Sequence, residues 1–333
     1  MPRRRELGRG ERVIPGLWRI RLPLPFPGVP HCNAWAIAAG DGLVLIDTGM
    51  HEPGSFDELE RAFGQVGLSV DDVRLVVCTH AHADHCGQAA TICDRNGCEM
   101  WMHPNHAHGY ASAVDKDTQV ARRLEIGRQS GVPPAALERY AEHARESPSG
   151  IARAIEPDRE LVDGVTVDTD LGVWRVYETP GHAPSHVCLF QAEHRLLMSG
   201  DHVLGRISLY FDYDWTPDPV GEFLSSLDVV DELDARLALS GHGKPFLDVH
   251  GHIEGNRRLV GERLEATLRA LSDGPRTALE ITPVVHGEPL TETNAGWWLP
   301  ETLCYLRHLE LRGQVVREAD AGVERWAAEA LSN

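Results

Sequence analysis

Lysine is nearly absent from this chain of 333 residues, because only Lys116 and Lys244 are lysines and arginine carries the remaining positive charge. Lysine and arginine together number 32 against 50 aspartates and glutamates, which gives a formal net charge of -18. An acidic surface repels the phosphate backbone of nucleic acids. The charge therefore disfavours a nucleic-acid substrate, although a local basic groove would still be compatible with it.

Long apolar runs and paired cysteines are also missing. No stretch approaches the roughly 20 apolar residues that a membrane span needs, and no apolar run of signal-peptide length follows the basic start. The seven cysteines are scattered and lack paired short spacings, which favours reduced thiols over a disulfide framework. We therefore expect a cytoplasmic protein that does not contact a membrane.

The length of the chain predicts one large domain and one smaller domain. After a polar leader that ends before Leu17, the strand-like segments of residues 1–250 fall into two groups. Helical segments lie between them, one of them at Pro219–Asp231, which suits an α/β fold of two packed sheets covered by helices. Residues from about 105 to 155 are polar, with predicted helices at Gln119–Gly127 and Pro134–Arg145, which indicates an inserted helical subdomain. In residues 251–333, predicted helices at His252–Leu271, Thr277–His286 and Thr302–Gly313 and a short strand at Gln314–Arg317 indicate a small winged-helix-like domain.

Four side chains of metal-binding type stand within six residues, directly after an apolar strand at Val73–Cys78. His80 and His82 are two apart, so they project to the same side of an extended strand end. Asp84 and His85 follow as the chain turns into a helix, which can point them to a second position beside the first. Imidazole and carboxylate suit divalent transition metals. The segment therefore predicts halves of two adjacent metal sites.

Three further candidate ligands follow three other strands, and each comes directly after a glycine: His182, Asp201 and His242. Glycine frees the backbone for a sharp turn that can bring the next side chain towards the sheet edge. Binding sites are commonly assembled from several loops at one rim of a rigid sheet. We therefore expect these three residues to join the histidine-rich segment.

Together these motifs resemble those of the metallo-β-lactamase superfamily. The stretch Thr79–Gly87 fits the His-x-His-x-Asp-His signature of that family, and Leu43–Gly49 resembles the strand that precedes the signature. The resemblance spans roughly residues 15–250. It implies an αββα sandwich with the metals at one edge.

The resemblance also implies a role for each ligand. It places His80, His82 and His182 in site one and Asp84, His85 and His242 in site two, with Asp201 bridging both metals and Asp47 as an anchor behind the ligands. The implied cofactors are two divalent ions, with zinc as the first choice and iron or manganese as alternatives. A hydroxide that bridges two such cations can form near neutral pH and attack a carbonyl or phosphoryl centre, while Asp84 or the metal-bound solvent manages the proton.

An aromatic loop follows Asp201 and supplies candidate substrate contacts: Tyr210, Phe211, Tyr213 and Trp215. These four aromatic residues stand among turn-forming aspartates, which argues against a place in the core for all of them. We therefore expect at least one to contact the substrate.

Five other histidines stand near the predicted centre. His186 and His202 lie beside ligands, and we interpret them as supporting or structural residues. His103, His106 and His108 open the insertion, and we interpret them as a surface cluster rather than as a lining above the metals.

The segment 240–320 resembles the branch of the lactamase-β-like protein, an endoribonuclease. Arg257 and Arg258 match only loosely the basic residues with which the C-terminal helices of the glyoxalase II type bind glutathione. However, residues 251–333 hold nine arginines against thirteen acidic residues, whereas a module that grips RNA should show a basic face. We expect this tail to be structural, shaping the substrate cleft or a dimer contact.

Three hypotheses follow from the sequence. The first is a binuclear hydrolase acting on an ester, thioester or lactone of a small molecule, with a homodimer possible and nucleic acid disfavoured as a partner. The alternative is a metal-dependent endoribonuclease or phosphodiesterase of the same fold. The third is a metal-binding or redox protein that has lost hydrolysis. The full second-site set, Asp84, His85 and His242, argues against a single-metal dioxygenase.

Overall fold

Two β-sheets pack face to face in the computed structural model, which describes residues 7–26 and 28–329. The first sheet has its strands in sequence order: β1 (Arg9–Ile14), β2 (Leu17–Pro23), β3 (His31–Ala39), β4 (Gly42–Ile46), β5 (Val73–Val77), β6 (Glu99–Met102) and β7 (Arg159–Glu160). Strands β1 to β4 pair antiparallel, and β4 to β7 pair parallel. The edge strand β1 lies in a part of the chain that the sequence pattern predicts to be a polar leader without a strand.

The second sheet has five strands in the spatial order β12-β11-β10-β9-β8. Their bounds are β8 (Thr166–Thr169), β9 (Gly172–Glu178), β10 (Val187–Gln191), β11 (Leu196–Gly200) and β12 (Leu237–Ser240). Only the β11–β12 pair is parallel. The predicted ligands His182, Asp201 and His242 follow β9, β11 and β12.

Helices cover the outer faces of both sheets, which completes the predicted αββα sandwich. Apolar side chains of β4 alternate, as successive residues of a strand must: Leu43 and Leu45 pack with the helix-covered core, whereas Val44 and Ile46 pack between the sheets. The helices of these outer layers are α1 (Ser55–Gln65), α2 (Ala83–Cys86), α3 (Ala89–Asn96) and α7 (Pro219–Asp231). A strand covered on both faces explains the continuous apolar run of β4.

Three helices form the insertion: α4 (Ala107–Val114), α5 (Lys116–Gln129) and α6 (Pro134–Glu146). The sequence pattern predicts the last two but not α4. The sequence of α4, Ala-His-Gly-Tyr-Ala-Ser-Ala-Val, has small and polar residues without a clear apolar stripe, so its helical state depends on packing against the rest of the protein.

The C-terminal part contains α8 (Val249–Ala270), α9 (Ala278–His286) and α10 (Ala295–Leu311), followed by the hairpin β13 (Val315–Asp320) and β14 (Val323–Ala328). Two predictions are corrected here. Helix α10 begins at Ala295 rather than at Thr302, because it continues through Pro300. The single predicted strand at Gln314–Arg317 is one arm of a two-stranded hairpin.

One apolar core joins this C-terminal part to the second sheet. It contains side chains of β10 and β11, such as Cys188 and Leu197, side chains of α7, and side chains of α10 such as Leu303 and Leu306. The predicted boundary at residue 250 therefore falls inside a continuous packed region, and α8 crosses it. Among residues 7–26 and 28–329, no helix combines the length and the apolar character that a bilayer crossing requires.

Candidate metal centre

The histidine-rich segment leaves the buried end of β5 and turns into α2 at Ala83. His80 and His85 are fully buried, whereas the side chains of His82 and Asp84 keep 20% and 18% of their surface exposed. His82 has extended backbone angles and is followed at once by helix. This change of backbone divides the four side chains between two neighbouring positions, as the sequence predicts.

Three histidine nitrogens converge on the first position. His80 Nε2 lies 3.0 Å and His182 Nε2 lies 3.1 Å from His82 Nδ1. Tetrahedral ligands at a zinc–nitrogen distance of about 2.0–2.1 Å stand roughly 3.3 Å apart, so this spacing fits one ion. The other ring nitrogens of His80 and His182 are held at 3.0 Å by Thr79 Oγ1 and at 3.1 Å by Tyr210 O.

The second position lies between two carboxylates and two imidazoles. His242 Nε2 is 3.3 Å from Asp84 Oδ2 and 3.1 Å from Asp201 Oδ2. His85 Nε2 is 3.6 Å and 3.5 Å from the same two oxygens. Asp201 Oδ2 is also 3.8 Å from His182 Nε2 in the first group. Asp201 therefore stands between the two groups, where a bridging ligand would have to be.

Two buried polar atoms at the second position test whether a cation fits there. His85 Nε2 and Asp201 Oδ1 have no hydrogen-bond partner among the described residues. An unpaired buried polar atom costs about 1–3 kcal/mol, and a bound cation would satisfy both atoms. The site is also packed tightly, because a Cβ on Gly241 would collide with the Asp201 carboxylate and the His85 ring. Both His80/His82/His182 and Asp84/His85/His242 have ligand atoms close enough together to hold a metal ion.

Asp47 lies directly behind the second group. It is buried and has a left-handed backbone conformation, with φ 61°. Its Oδ2 lies 2.8 Å from His85 Nδ1, and its Oδ1 accepts a hydrogen bond from Thr79 N at 2.8 Å. Because Asp47 holds Nδ1–H, the lone pair on His85 Nε2 is left to face the second position. Asp47, which the family resemblance names as an anchor, therefore contacts the far nitrogen of His85.

A second anchoring carboxylate was missed by the sequence reasoning. Asp212 Oδ2 lies 2.9 Å from His82 Nε2 and 2.9 Å from His108 Nδ1. His108 Nε2 in turn lies 2.8 Å from Ser185 Oγ, which accepts a hydrogen bond from Ala81 N at 3.0 Å. His82 Nδ1 faces His80 and His182, so Asp212 contacts the opposite nitrogen of His82 and holds that ring in place.

The prediction of a surface cluster at the start of the insertion is wrong for His103 and His108, because both are buried. His103 Nε2 lies 2.7 Å from Glu178 Oε1.

His186, interpreted from the sequence as a supporting residue, lies beneath Asp201, since its Nε2 accepts a hydrogen bond from Asp201 N at 3.1 Å. His202 is also buried, and burial lowers the pKa of its imidazole to about 3.

The two ligand groups differ in their electrostatics. In the first group, burial and the neighbouring His82 lower the pKa of His182 to about 4. In the second group, burial opposes protonation of His242, but the carboxylates of Asp201 and Asp84 outweigh it and raise the pKa of His242 to about 10. Negative charge is therefore concentrated at the second position, and that charge favours a bound cation as it favours a proton.

The aromatic loop divides between the site and the core. The ring of Tyr210 lies 5.8 Å from that of His82 and 5.7 Å from that of His182. Trp215 is partly exposed, and its ring is 6.1 Å from that of His108.

The other two residues of the loop pack inward. Phe211, one of the four candidate substrate contacts, is fully buried against Phe223 and Tyr305, so its ring packs into the core. Tyr213 packs against the core that the C-terminal helices share. Phe211 and Tyr213 therefore pack away from the ligands. Tyr210 is the aromatic residue of the loop whose ring lies next to the ligand histidines.

The fold and this ligand arrangement define the class of the protein. The chain belongs to the metallo-beta-lactamase superfamily: the profile described as "Metallo-beta-lactamase superfamily" matches residues 27–242, and the one described as "Metallo-beta-lactamase-like, C-terminal domain" matches residues 264–329. The chain is thus a metal-dependent hydrolase, in a superfamily that typically binds divalent metals.

Individual proteins are similar over most of the chain. A protein of Bacillus subtilis described as "Probable metallo-hydrolase YqjP" is 28% identical over 87% of this chain and 91% of its own length. An atrochrysone carboxyl ACP thioesterase of Aspergillus chevalieri is 22% identical over 95% of this chain and 88% of its own.

Two solved structures are similar in fold. A metallo-beta-lactamase family protein from Thermus thermophilus has a TM-score of 0.81 and 26% identity, covering 96% of this chain and 100% of that one. A beta-lactamase domain protein from Burkholderia ambifaria has a TM-score of 0.78 and 30% identity, covering 96% and 93%.

Proposed function

We propose that the chain is a binuclear hydrolase that cleaves an ester, thioester or lactone of a small molecule. The observation that carries this proposal is the position of Asp201 Oδ2, which lies 3.1 Å from His242 Nε2, 3.5 Å from His85 Nε2 and 3.8 Å from His182 Nε2. One carboxylate next to both ligand groups suits a pair of divalent ions, with zinc as the first choice. When bound, such a pair activates water near neutral pH and polarises the substrate carbonyl.

The residues around the ligands would position the substrate and move protons. His85 and His242 outweigh the effect of burial and hold the pKa of Asp84 well below its usual range, so the carboxylate is ionised at neutral pH. Burial and the nearby Asp212 raise the pKa of Tyr210, so its hydroxyl keeps its proton. We assign Asp84 to proton transfer and the Tyr210 hydroxyl to hydrogen bonding with the negative charge that develops on the substrate oxygen.

The charges of the C-terminal part support a small-molecule substrate over RNA. Arg257 contacts Asp228 at 2.6 Å and Asp231 at 3.0 Å, and Arg317 is paired with Glu324 at 3.0 Å. These ion pairs neutralise arginines that a basic RNA-binding face would need. The thioesterase named above is similar over nearly the whole chain, which favours a thioester among the candidate substrates.

Two measurements test the proposal. Metal analysis of the purified protein should give about two divalent ions per chain, since the ligand atoms form two groups; one ion per chain would contradict the binuclear arrangement. Hydrolysis is then measured on a simple thioester, a lactone and an aryl phosphodiester. We expect cleavage of the thioester or lactone, and cleavage of the phosphodiester alone would favour the nuclease instead.

Variants complete this test. His82→Ala should abolish hydrolysis because it removes a nitrogen from the first group. His250→Ala is the matched control, because His250 is exposed and pairs with Asp231 at the end of α7. Equal loss of activity in both variants would indicate a general effect on folding rather than on the centre.

A further inference from the structure

Trp297 is an exposed tryptophan at the start of α10, with 42% of its surface accessible. Its ring centroid lies 5.5 Å from that of Tyr210 and 5.7 Å from that of Phe26, both in edge-to-face geometry. The three rings belong to three distant segments: the loop after β2, the loop after β11, and the C-terminal part. Their meeting is a product of the fold and has no local cause.

Tyr210 connects this group of rings to the metal ligands. The Tyr210 ring also makes edge-to-face contacts with the rings of His82 and His182. A continuous aromatic surface therefore runs from the first ligand group outward to Trp297. A substrate whose carbonyl lies at the ligands would extend its remaining atoms along this surface.

A tryptophan in this part of α10 can pack inside the protein, as the neighbouring Trp298 does. Folding of α10 therefore does not require Trp297 to be exposed. The ring of Trp298 stacks on that of His286 at 4.6 Å with an interplanar angle of 7°, inside the C-terminal part. One tryptophan of the pair thus packs α10 against α9, whereas the other leaves an apolar face open beside the centre.

We propose that Phe26, Tyr210 and Trp297 form a subsite for the acyl group of the substrate, and that it takes a flat, aromatic acyl group. Aromatic rings bind one another through offset or edge-to-face contacts, which supply affinity beyond the area that they bury. This inference rests on the proposed hydrolysis of a thioester or ester and narrows its substrate class. It also gives the C-terminal part a direct role in substrate selection through Trp297.

The test compares two thioesters with the same leaving group, the phenylacetyl and acetyl thioesters of N-acetylcysteamine, using the full-length, metal-loaded protein. Trp297→Ala should lower the ratio of kcat/KM for phenylacetyl over acetyl by roughly tenfold, mainly through KM, because it removes a ring contact and its buried area. Trp297→Phe should restore most of the ratio. Trp298→Ala is the matched control and should leave the ratio unchanged, with the thermal stability of all variants measured in parallel.

Several results would overturn the subsite. These are an unchanged ratio in Trp297→Ala, an equal change in Trp298→Ala, or a Trp297→Ala variant whose only difference is a change in oligomeric state. Binding of the phenylacetyl thioester to wild type and Trp297→Ala is also measured by calorimetry. If wild type binds this thioester without hydrolysing it and Trp297→Ala binds it about tenfold more weakly, the subsite is supported while the proposed reaction fails.

Discussion

At the scale of single residues, two ligand histidines are each held from behind by a carboxylate, but the carboxylates differ in origin. Asp47 holds His85 from the end of β4, the strand beside β5. Asp212 holds His82 from a loop that follows β11 in the second sheet. A carboxylate on the far nitrogen fixes the ring orientation and makes the near nitrogen a better ligand. The first metal position therefore depends on contact between the two halves of the sandwich.

Asp212→Asn should weaken metal binding by roughly 10–100-fold, because it removes the negative charge that orients His82. Competition with a chromophoric chelator would measure the dissociation constants. Asp214→Asn is the control: Asp214 lies in the same loop, and its left-handed backbone, with φ 70°, is one that asparagine tolerates. Similar constants for wild type and Asp212→Asn would contradict the role of Asp212.

The candidate ligands could be predicted from the sequence because each has a local signature. Each of the three isolated ligands follows a glycine at a strand end, and the other four share one short segment. Asp212 and His108 have no such signature. Their pairing arises only when α4 packs over the loop that contains Tyr210, and that contact joins residues about a hundred positions apart.

At the scale of elements, α4 packs directly on the segment that carries the ligands. A Cβ on Gly109 would collide with the backbone carbonyl of Ala81, which stands between His80 and His82. The helix thus approaches the ligand segment as closely as backbone allows, and only glycine permits this approach.

Gly109→Ala should therefore lower both the thermal stability and the metal affinity, because α4 or the ligand segment must move. Gly261→Ala provides the opposite case, since a Cβ at this position of α8 meets nothing within 4 Å. It should raise the free energy of unfolding by roughly 0.5–1 kcal/mol through helix propensity. Denaturant titration and chelator competition on both variants measure these effects, and an unperturbed Gly109→Ala would refute the close contact.

Helix α10 contains a buried carboxyl group that should make stability depend on pH. Burial raises the pKa of Glu301 to about 7, although the Tyr305 hydroxyl donates to it at 2.6 Å. The folded protein then holds this proton more tightly than the unfolded chain, whose glutamates titrate near about 4.3. This contribution to stability is complete below that value and is lost as the pH rises towards the folded pKa.

Glu301→Gln should remove this loss of stability with rising pH. Its free energy of unfolding relative to wild type should increase by about 1–3 kcal/mol between pH 4.5 and pH 8. Urea titrations across this range measure the difference, with the exposed Glu318→Gln as the control. Parallel pH profiles for wild type and Glu301→Gln would show that Glu301 ionises without penalty in the folded state.

At the scale of the whole molecule, the sandwich was predictable because its strands are apolar and its turns are marked by glycine. The pattern placed α7 correctly at Pro219–Asp231, since Asp218 caps the helix and Pro219 suits its first turn. It missed β1, α4 and β14, whose residues are too polar or too small to show a period. These elements form only against partners that the rest of the fold provides.

Metal removal should destabilise the entire protein, because the ligands come from both sheets and the loops that join them. A ligand that binds only the folded state at about a thousand times its dissociation constant adds about 4 kcal/mol to stability. Chelation should therefore lower Tm by roughly 5–15 °C. Calorimetry measures this shift, and His82→Ala should show a smaller one; an unchanged Tm in wild type would argue against bound structural cations.

The core shared by the second sheet and the C-terminal helices has an evolutionary consequence. Separate profiles match residues 27–242 and 264–329, as though two modules had been joined. Yet Leu197 in β11 and Leu306 in α10 belong to one apolar cluster. Neither part can therefore be exchanged without changing the residues of the other part that pack against it. Through the proposed subsite, in which Trp297 contacts Tyr210, a lineage can acquire a new substrate preference by changing α10 while the candidate ligands stay the same.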